Sequence, residues 1–252
     1  MTLNQLKKDL CKYATRKRAT NFSRFFKTGK DEYGEGDRFL GISTPNSRSL
    51  AKKYKYLSLA EIQKLIRSEI HEERFIALLI LIEQFKKVNQ KDKEDIFKFY
   101  IKNTKYINNW DLVDISAHKI VGEYLLENPY CVTIFKGQAL KGSKLLNHLA
   151  ESKNLWERRI AIVSTAAFIK RGKFGETLEI AEILLNDRHD LIHKAVGWML
   201  REVGKRSLET EEKFLEKHYK KMPRTMLRYA IEKFSENKRQ YYLKLNNYQY
   251  RK

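Results

Sequence analysis

Long stretches of this chain carry apolar residues at helical spacing, and little interrupts them: its 252 residues include three prolines and eleven glycines. Val, Ile and Thr do not alternate as they would along strands. The pattern therefore predicts a nearly all-α chain. A helix is expected over residues 2–20, with Leu3, Leu6, Leu10 and Tyr13 on one side, then a short helix holding Phe22, Phe25 and Phe26. Residues 27–38 are too irregular for a helix, and Gly29, Gly34 and Gly36 permit tight turns there. Thr44 and Pro45 read as a cap and first turn for a helix through Arg48, Leu50, Ala51 and Tyr54. From about residue 58 the chain reads as helix pairs. The expected segments are 58–68, where Ser58 and Glu61 have capping-box spacing, then 71–85, 91–102, 110–126, 129–141, 155–170, 177–185, 190–205, 210–220 and 224–234.

The starts of the more apolar helices, Arg74, Trp110, Arg159, Lys194 and Arg224, lie 36, 49, 35 and 30 residues apart. Helix pairs at a loose period of 30–50 are the pattern of an α-solenoid of HEAT-like repeats, in which each pair buries its apolar face against its neighbours. Several of these starts carry Lys or Arg, so the expected solenoid has a concave basic face. The alternative is a helical bundle without regular curvature. One domain is expected over 1–252: basic N-terminal helices over about 1–57, helical repeats over about 58–236, and a short basic tail.

Charge narrows the partners. Lys and Arg exceed Asp and Glu by 51 to 31, a net +20. A field of that sign attracts polyanions, nucleic acid above all. Residues 1–30 hold nine Lys or Arg against one acid, and residues 201–252 fifteen against seven. Cys11 and Cys131 form no metal-ligand pattern and no disulfide framework, which fits a reducing compartment. No apolar run of signal-peptide or membrane-spanning length is present, so a soluble, non-exported protein without membrane association is expected.

Several chemistries lack their residues. The six histidines are scattered, with no H-E-x-x-H and no Cys/His pairing, so no metal is expected. No G-x-S-x-G elbow occurs. The glycines of 27–38 lack the G-K-[S/T] ending of a phosphate loop and no strand precedes them. Three places remain. Trp110 and Asp114 fall at i and i+4, on one helix face, as an acid beside an aromatic ring could to meet a developing positive charge. Asp111 sits in the first turn, where the helix dipole favours a carboxylate. The run Trp156-Glu157-Arg158-Arg159 opens a helix with paired arginines, one of which could bind phosphate in bidentate fashion. Lys194, Trp198 and Arg201 share another face, with Gly197 leaving room beside the indole. An aromatic between two cations suits a nucleic-acid backbone and sugar. Arg224 and Arg228 add further charge.

Together these stretches resemble the DNA alkylation repair glycosylases built from HEAT-like repeats. The likeness rests on Tyr33-Gly34-Glu35-Gly36-Asp37, Phe39-Leu40-Gly41-Ile42 with Thr44-Pro45, and Asn109-Trp110-Asp111-Leu112-Val113-Asp114. It continues in Trp156–Ala161, His193–Glu202 and Met222–Tyr229, and so runs from about residue 20 to 240. The resemblance implies a monofunctional, cofactor-free glycosylase acting on N3- or N7-alkylated purines in duplex DNA, without flipping the base. It implies Asp114 as the catalytic carboxylate, Trp110 and Trp198 as the tryptophans against the lesion's deoxyribose, and Arg159 as the arginine holding the backbone. Lys194, Arg201, Arg224 and Arg228 are expected to meet DNA. A cytoplasmic monomer, with the nucleoid when bound, is the matching expectation. The alternative is a non-catalytic HEAT-repeat protein that binds DNA structures.

Overall fold

A computed structural model describes residues 1–247. The chain divides into two compact units, Met1–Ile120 and Val121–Lys252. The all-α expectation holds, with one small hairpin as its exception, and among the described residues no helix is long and apolar enough to cross a membrane.

The first unit is built around one helix. Helices α1 (Leu3–Tyr13), α2 (Arg16–Phe25), α3 (Thr44–Lys53) and α4 (Leu59–Ile66) precede α5 (His71–Phe85), and α6 (Gln90–Lys102) and α7 (Trp110–Ala117) follow it. A helix that is apolar all round must be covered all round. The α5 sequence, with Phe75-Ile76-Ala77-Leu78-Leu79-Ile80-Leu81-Ile82, obeys this: every residue from His71 to Ile82 is buried, against α3, α4, α6 and α7. Each such Leu or Ile stabilises the fold by roughly 1.5–3 kcal/mol relative to an exposed one. Helix α4 opens with the capping box its sequence predicts, Ser58 with Glu61. Helix α3 is capped by Ser43, one residue before the expected Thr44.

The helix expected over 2–20 breaks at Ala14 and Thr15. There the Thr15 amide donates to the Leu40 carbonyl instead of continuing the helix. Gly41 makes this approach possible: its φ is +79°, and a Cβ at that position would collide with the Thr15 carbonyl oxygen and the Ala19 amide. The buried Glu72 carboxylate then fixes residues 40–42 by accepting their three backbone amides, at 3.0, 2.7 and 3.1 Å.

A π-turn (His118–Gly122), within which the first unit ends and the second begins, leads into α8 (Glu123–Glu127), where the spacing predicts a single helix over 110–126. The larger correction lies just beyond. Residues 129–141, expected to be helical, form an antiparallel hairpin of β1 (Val132–Phe135) and β2 (Gln138–Lys141). Lys136 and Gly137 both have positive φ, the requirement of a tight hairpin turn, and Val132-Thr133-Ile134 is β-branched. The hairpin packs on α9 (Gly142–Ala150).

Helices α10 (Leu155–Ser164), α11 (Ala166–Lys170), α12 (Gly175–Ile183), α13 (Asp190–Gly204), α14 (Leu208–His218) and α15 (Arg224–Ala230) make the rest of the repeat region. The tail adds α16 (Glu236–Asn247), and its last five residues lie outside the described residues. Gly197 was expected to leave space beside Trp198. Instead it lets α15 approach α13, because a Cβ there would strike the Met226 carbonyl and the Tyr229 Cβ.

Glu211 of α14 is 1% exposed, and its Oε1 has no hydrogen-bond partner among the described residues. Burial pushes its carboxyl up to about 8, aided by neighbouring Glu212 and opposed by Arg201. A raised carboxyl pKa means the fold holds a proton that the unfolded chain releases, so this group costs stability progressively as pH rises from 4.5 to 8. Glu211→Gln is expected to stabilise the protein by roughly 2–4 kcal/mol at the upper end of that window. Urea denaturation should show the gain shrinking towards zero as pH falls to 4.5.

Candidate functional site

The first unit contains an open cavity of about 500 Å³ in which Trp110 and Asp114 both participate. Asn109 caps α7, its side-chain oxygen accepting the Trp110 amide at 2.8 Å. The helical repeat then carries Asp114 onto the same face as Trp110. Both are half-buried, packed on one side and open on the other.

The Trp110 indole is held by a run of rings. Phe26 stacks on it at 5.3 Å, Phe39 stacks on Phe26 at 5.1 Å, and the His71 imidazole stacks on Phe39 at 4.6 Å. Phe25 meets Trp110 edge-on at 5.8 Å. The last ring of the run is itself clamped. His71, 3% exposed, has Nδ1 at 3.0 Å from Asp37 and Nε2 at 2.8 Å from Asp111. Burial alone would push the imidazole down, but the charge and hydrogen bond of Asp111, joined by Asp37, raise it to about 9. His71 is therefore an imidazolium at neutral pH, and both its N–H groups donate to carboxylates. For Asp37, burial pushes upward, yet the hydrogen bond from His71 and the charge of Arg74 outweigh it and hold the carboxyl below its usual range. Arg74 donates to Asp37 at 2.5 Å, and Asn109 donates to it at 3.0 Å.

This cluster gives the Tyr33–Asp37 stretch a task that sequence reasoning did not find. Gly34 and Gly36 turn the chain so that Asp37 enters the unit beneath α7, where it joins α5 to the cap of α7. Asp111 stands in the first turn of α7 as expected, and one of its carboxylate oxygens also holds His71 while the other accepts the Leu112 amide. Arg74, expected on a solvent-lined basic face, is buried and bonded to Asp37 and to the Ser68 carbonyl. Among the described residues no three His, Cys, Asp or Glu side chains converge as metal ligands would.

The other residues singled out in the sequence belong to the second unit. Arg159 is 5% exposed and donates to the Leu191 carbonyl at 2.5 Å, joining α10 to the start of α13. Its neighbour Arg158 pairs with Asp187 at 2.6 Å. Trp198 is half-buried on α13. On the same helix Lys194 pairs with Asp190 at 2.5 Å, and Arg201 pairs with Glu232. Arg224 donates to the Leu243 carbonyl at 3.1 Å, while Arg228 is exposed. Lys194, Arg228 and Arg239 line a cavity of about 480 Å³ with Asp190 and Glu232. Partly exposed pairs of this kind contribute only about 0–1 kcal/mol, so an incoming phosphate can displace the carboxylates.

Comparison with known proteins places these features in a lineage. The sequence pattern of the family described as "DNA alkylation repair enzyme" matches residues 6–234. No match was found among curated proteins. A predicted DNA alkylation repair enzyme from Enterococcus faecalis superposes with a TM-score of 0.66 at 17% identity, over 88% of this chain and 97% of that one. AlkD2 from Streptococcus mutans superposes with a TM-score of 0.52 at 17% identity, over 88% and 99%. At these identities the likeness is one of fold.

Proposed function

The chain belongs to the DNA alkylation repair enzyme family, and from that premise we propose that it is a DNA glycosylase for cationic N3- and N7-alkylated purines in duplex DNA. The observation that carries the proposal is the placing of Trp110 and Asp114 on one face of α7 at the same aromatic-walled cavity. Alkylation at N3 or N7 makes the purine cationic, so it leaves as a neutral base. When the glycosidic bond breaks, its electron pair goes to the base and positive charge develops on the deoxyribose. Asp114 faces that charge as a carboxylate, and Trp110 presents the negative face of its indole. Water then adds to the sugar carbon, and its proton passes to Asp114 or to solvent.

An electrostatic contribution of this kind is about 3–4 kcal/mol. That suits labile cationic lesions and is too small for neutral bases. In the second unit, Trp198 and Arg159 are the residues that the family resemblance assigns to DNA contact. Lys194, Arg201, Arg224 and Arg228 meet phosphates. The protein works as a monomer on DNA, without a cofactor. Incubating it with methylated duplex DNA should release 7-methylguanine or 3-methyladenine. DNA that is bound but yields no free base above background would reject the proposal.

Phosphate neutralisation also sets the salt response. For roughly six phosphate contacts, affinity for duplex should fall by about a thousandfold between ~50 and ~200 mM salt. A fluorescence-anisotropy titration reads this slope. A flat response would mean that the net +20 charge is not a DNA-binding field.

A further inference from the structure

We infer that the polar cavity of the second unit seats one phosphodiester of the lesion strand, with Arg239 of the tail helix as one of its ligands. This rests on the glycosylase reading and gives α16 a part in it. Four segments of the unit meet at the cavity, which measures about 480 Å³. Helix α13 brings Asp190 and Lys194, α15 brings Thr225 and Arg228, the turn after it brings Glu232, and α16 brings Arg239. The sequence builds this meeting. Gly197 lets α15 close on α13, and so Arg228 comes to the same cavity as Lys194. The tail helix is fastened in turn. Its Tyr242 is 5% exposed and meets Phe234 edge-on at 5.9 Å. Lys238 pairs with Glu212 at 2.6 Å, and the Leu243 carbonyl accepts from Arg224. Arg239 therefore holds its place before any ligand arrives.

Charge selects the ligand class. The lining holds three cations, Lys194, Arg228 and Arg239, against two carboxylates, Asp190 and Glu232, so one positive charge is left over. A phosphodiester inside a strand neutralises that charge, whereas a phosphate monoester, at about −1.5 to −2, would overshoot it. A donor is also waiting. The Arg239 Nε is buried without a hydrogen-bond partner among the described residues, while another nitrogen of the same guanidinium donates to Glu236 at 2.6 Å. The guanidinium fork suits phosphate oxygens. Meanwhile the carboxylates hold the anion's place, Asp190 on Lys194 at 2.5 Å and Glu232 on Arg201. Both are about half exposed, so exchanging them for phosphate costs little. Trp198 follows Lys194 by one turn of α13, about 5.4 Å along the helix. The seat thus falls next to the sugar assigned to Trp198, at a phosphate flanking the lesion.

The test walks a single neutral methylphosphonate along the lesion strand of a duplex carrying one 7-methylguanine. The Asp114→Asn protein binds it, and anisotropy reads the affinity. At one phosphate flanking the lesion the replacement should weaken binding by about five- to tenfold. Adding Arg239→Ala should weaken binding of the all-phosphate duplex by a similar factor. It should also abolish the methylphosphonate effect at that one position, while losses at other phosphates persist. Lys244→Ala removes the same charge from an exposed site on the same helix and should leave the profile unchanged. Glu232→Gln tests the seat without touching α16: it should tighten binding by about threefold, a gain lost when the flanking phosphate is neutral. A profile that Arg239→Ala leaves intact, or that Lys244→Ala alters equally, overturns the seat. So does dependence on a 5′-terminal phosphate in place of an internal one. Wild-type protein on the same duplex supplies the second measurement, release of 7-methylguanine. Release with no Arg239-dependent position overturns the seat and leaves the glycosylase standing. An Arg239-dependent position without release supports the seat and removes the glycosylase.

Discussion

Replacing Asp114 with asparagine is expected to lower release of 7-methylguanine from methylated duplex by about 10²–10³-fold, while duplex affinity stays within about twofold. Asparagine keeps the size and shape of the side chain and removes only its charge. Under the proposed function, the carboxylate meets a cation that forms only as the glycosidic bond breaks, so its loss is expected to fall on the chemical step. Asp114 sits in the second turn of α7, where the helix needs no carboxylate for its own cap: Asn109 supplies that. The measurement is single-turnover base release at saturating protein, paired with anisotropy for binding. Full release by the Asp114→Asn protein would sink the catalytic assignment and favour a protein that binds DNA structures without cutting a bond.

Asp37→Ala is expected to cost about 3–5 kcal/mol of stability, because it breaks a buried ion-pair cluster from one side. The substitution removes the acceptor shared by His71, Arg74 and Asn109. Arg74 is then left buried with the Ser68 carbonyl, and its Nε has no hydrogen-bond partner among the described residues of the intact protein. The pH dependence identifies the mechanism. His71 has a folded-state pKa raised from 6.5 to about 9, so its stabilisation is full below 6.5 and fades as pH rises to 9. With Asp37 gone, one of the two carboxylates holding the proton is missing and the His71 pKa drops. The slope of stability across that window should flatten. Urea denaturation at several pH values, with an NMR titration of the His71 ring, checks both. An alanine variant with unchanged stability and an unshifted His71 would show that Asp111 alone holds the imidazolium.

The sequence was most legible where a periodicity had many residues behind it. Helix α5 is found over the segment its spacing predicts, since thirteen of its fifteen residues are buried and no alternative placement covers them. The Ser58–Glu61 capping box is also as read. Legibility failed where long-range contacts decide local structure. The break at Thr15 depends on Leu40 and Gly41, some 25 residues on, and nothing near Thr15 announces it. The hairpin at 132–141 had a local signal in its β-branched run and its Lys-Gly turn, but the surrounding helical rhythm masked it. At the site, Trp110 and Asp114 could be paired by counting along one helix. His71 could not, because its partners come from residues 37 and 111, and only the folded chain brings them to the two sides of one ring. Spacing predicts a short helix holding Phe22, Phe25 and Phe26, yet it gives no reason to connect Phe25 and Phe26 with Trp110.

The hairpin also bears on how the protein behaves in company. Two strands leave two outer edges, and among the described residues neither edge has a strand beside it. Such edges are templates for pairing with another chain, and here Val132 and Ile134 turn apolar side chains outward. Part of the safeguard is in the same ten residues. Lys136 in the turn is paired with Glu157 at 2.5 Å, which leaves exposed Lys141 at the end of the second strand as the charge, unpaired among the described residues, that an edge-on copy would meet. A charge at that position opposes zipping of one hairpin onto another.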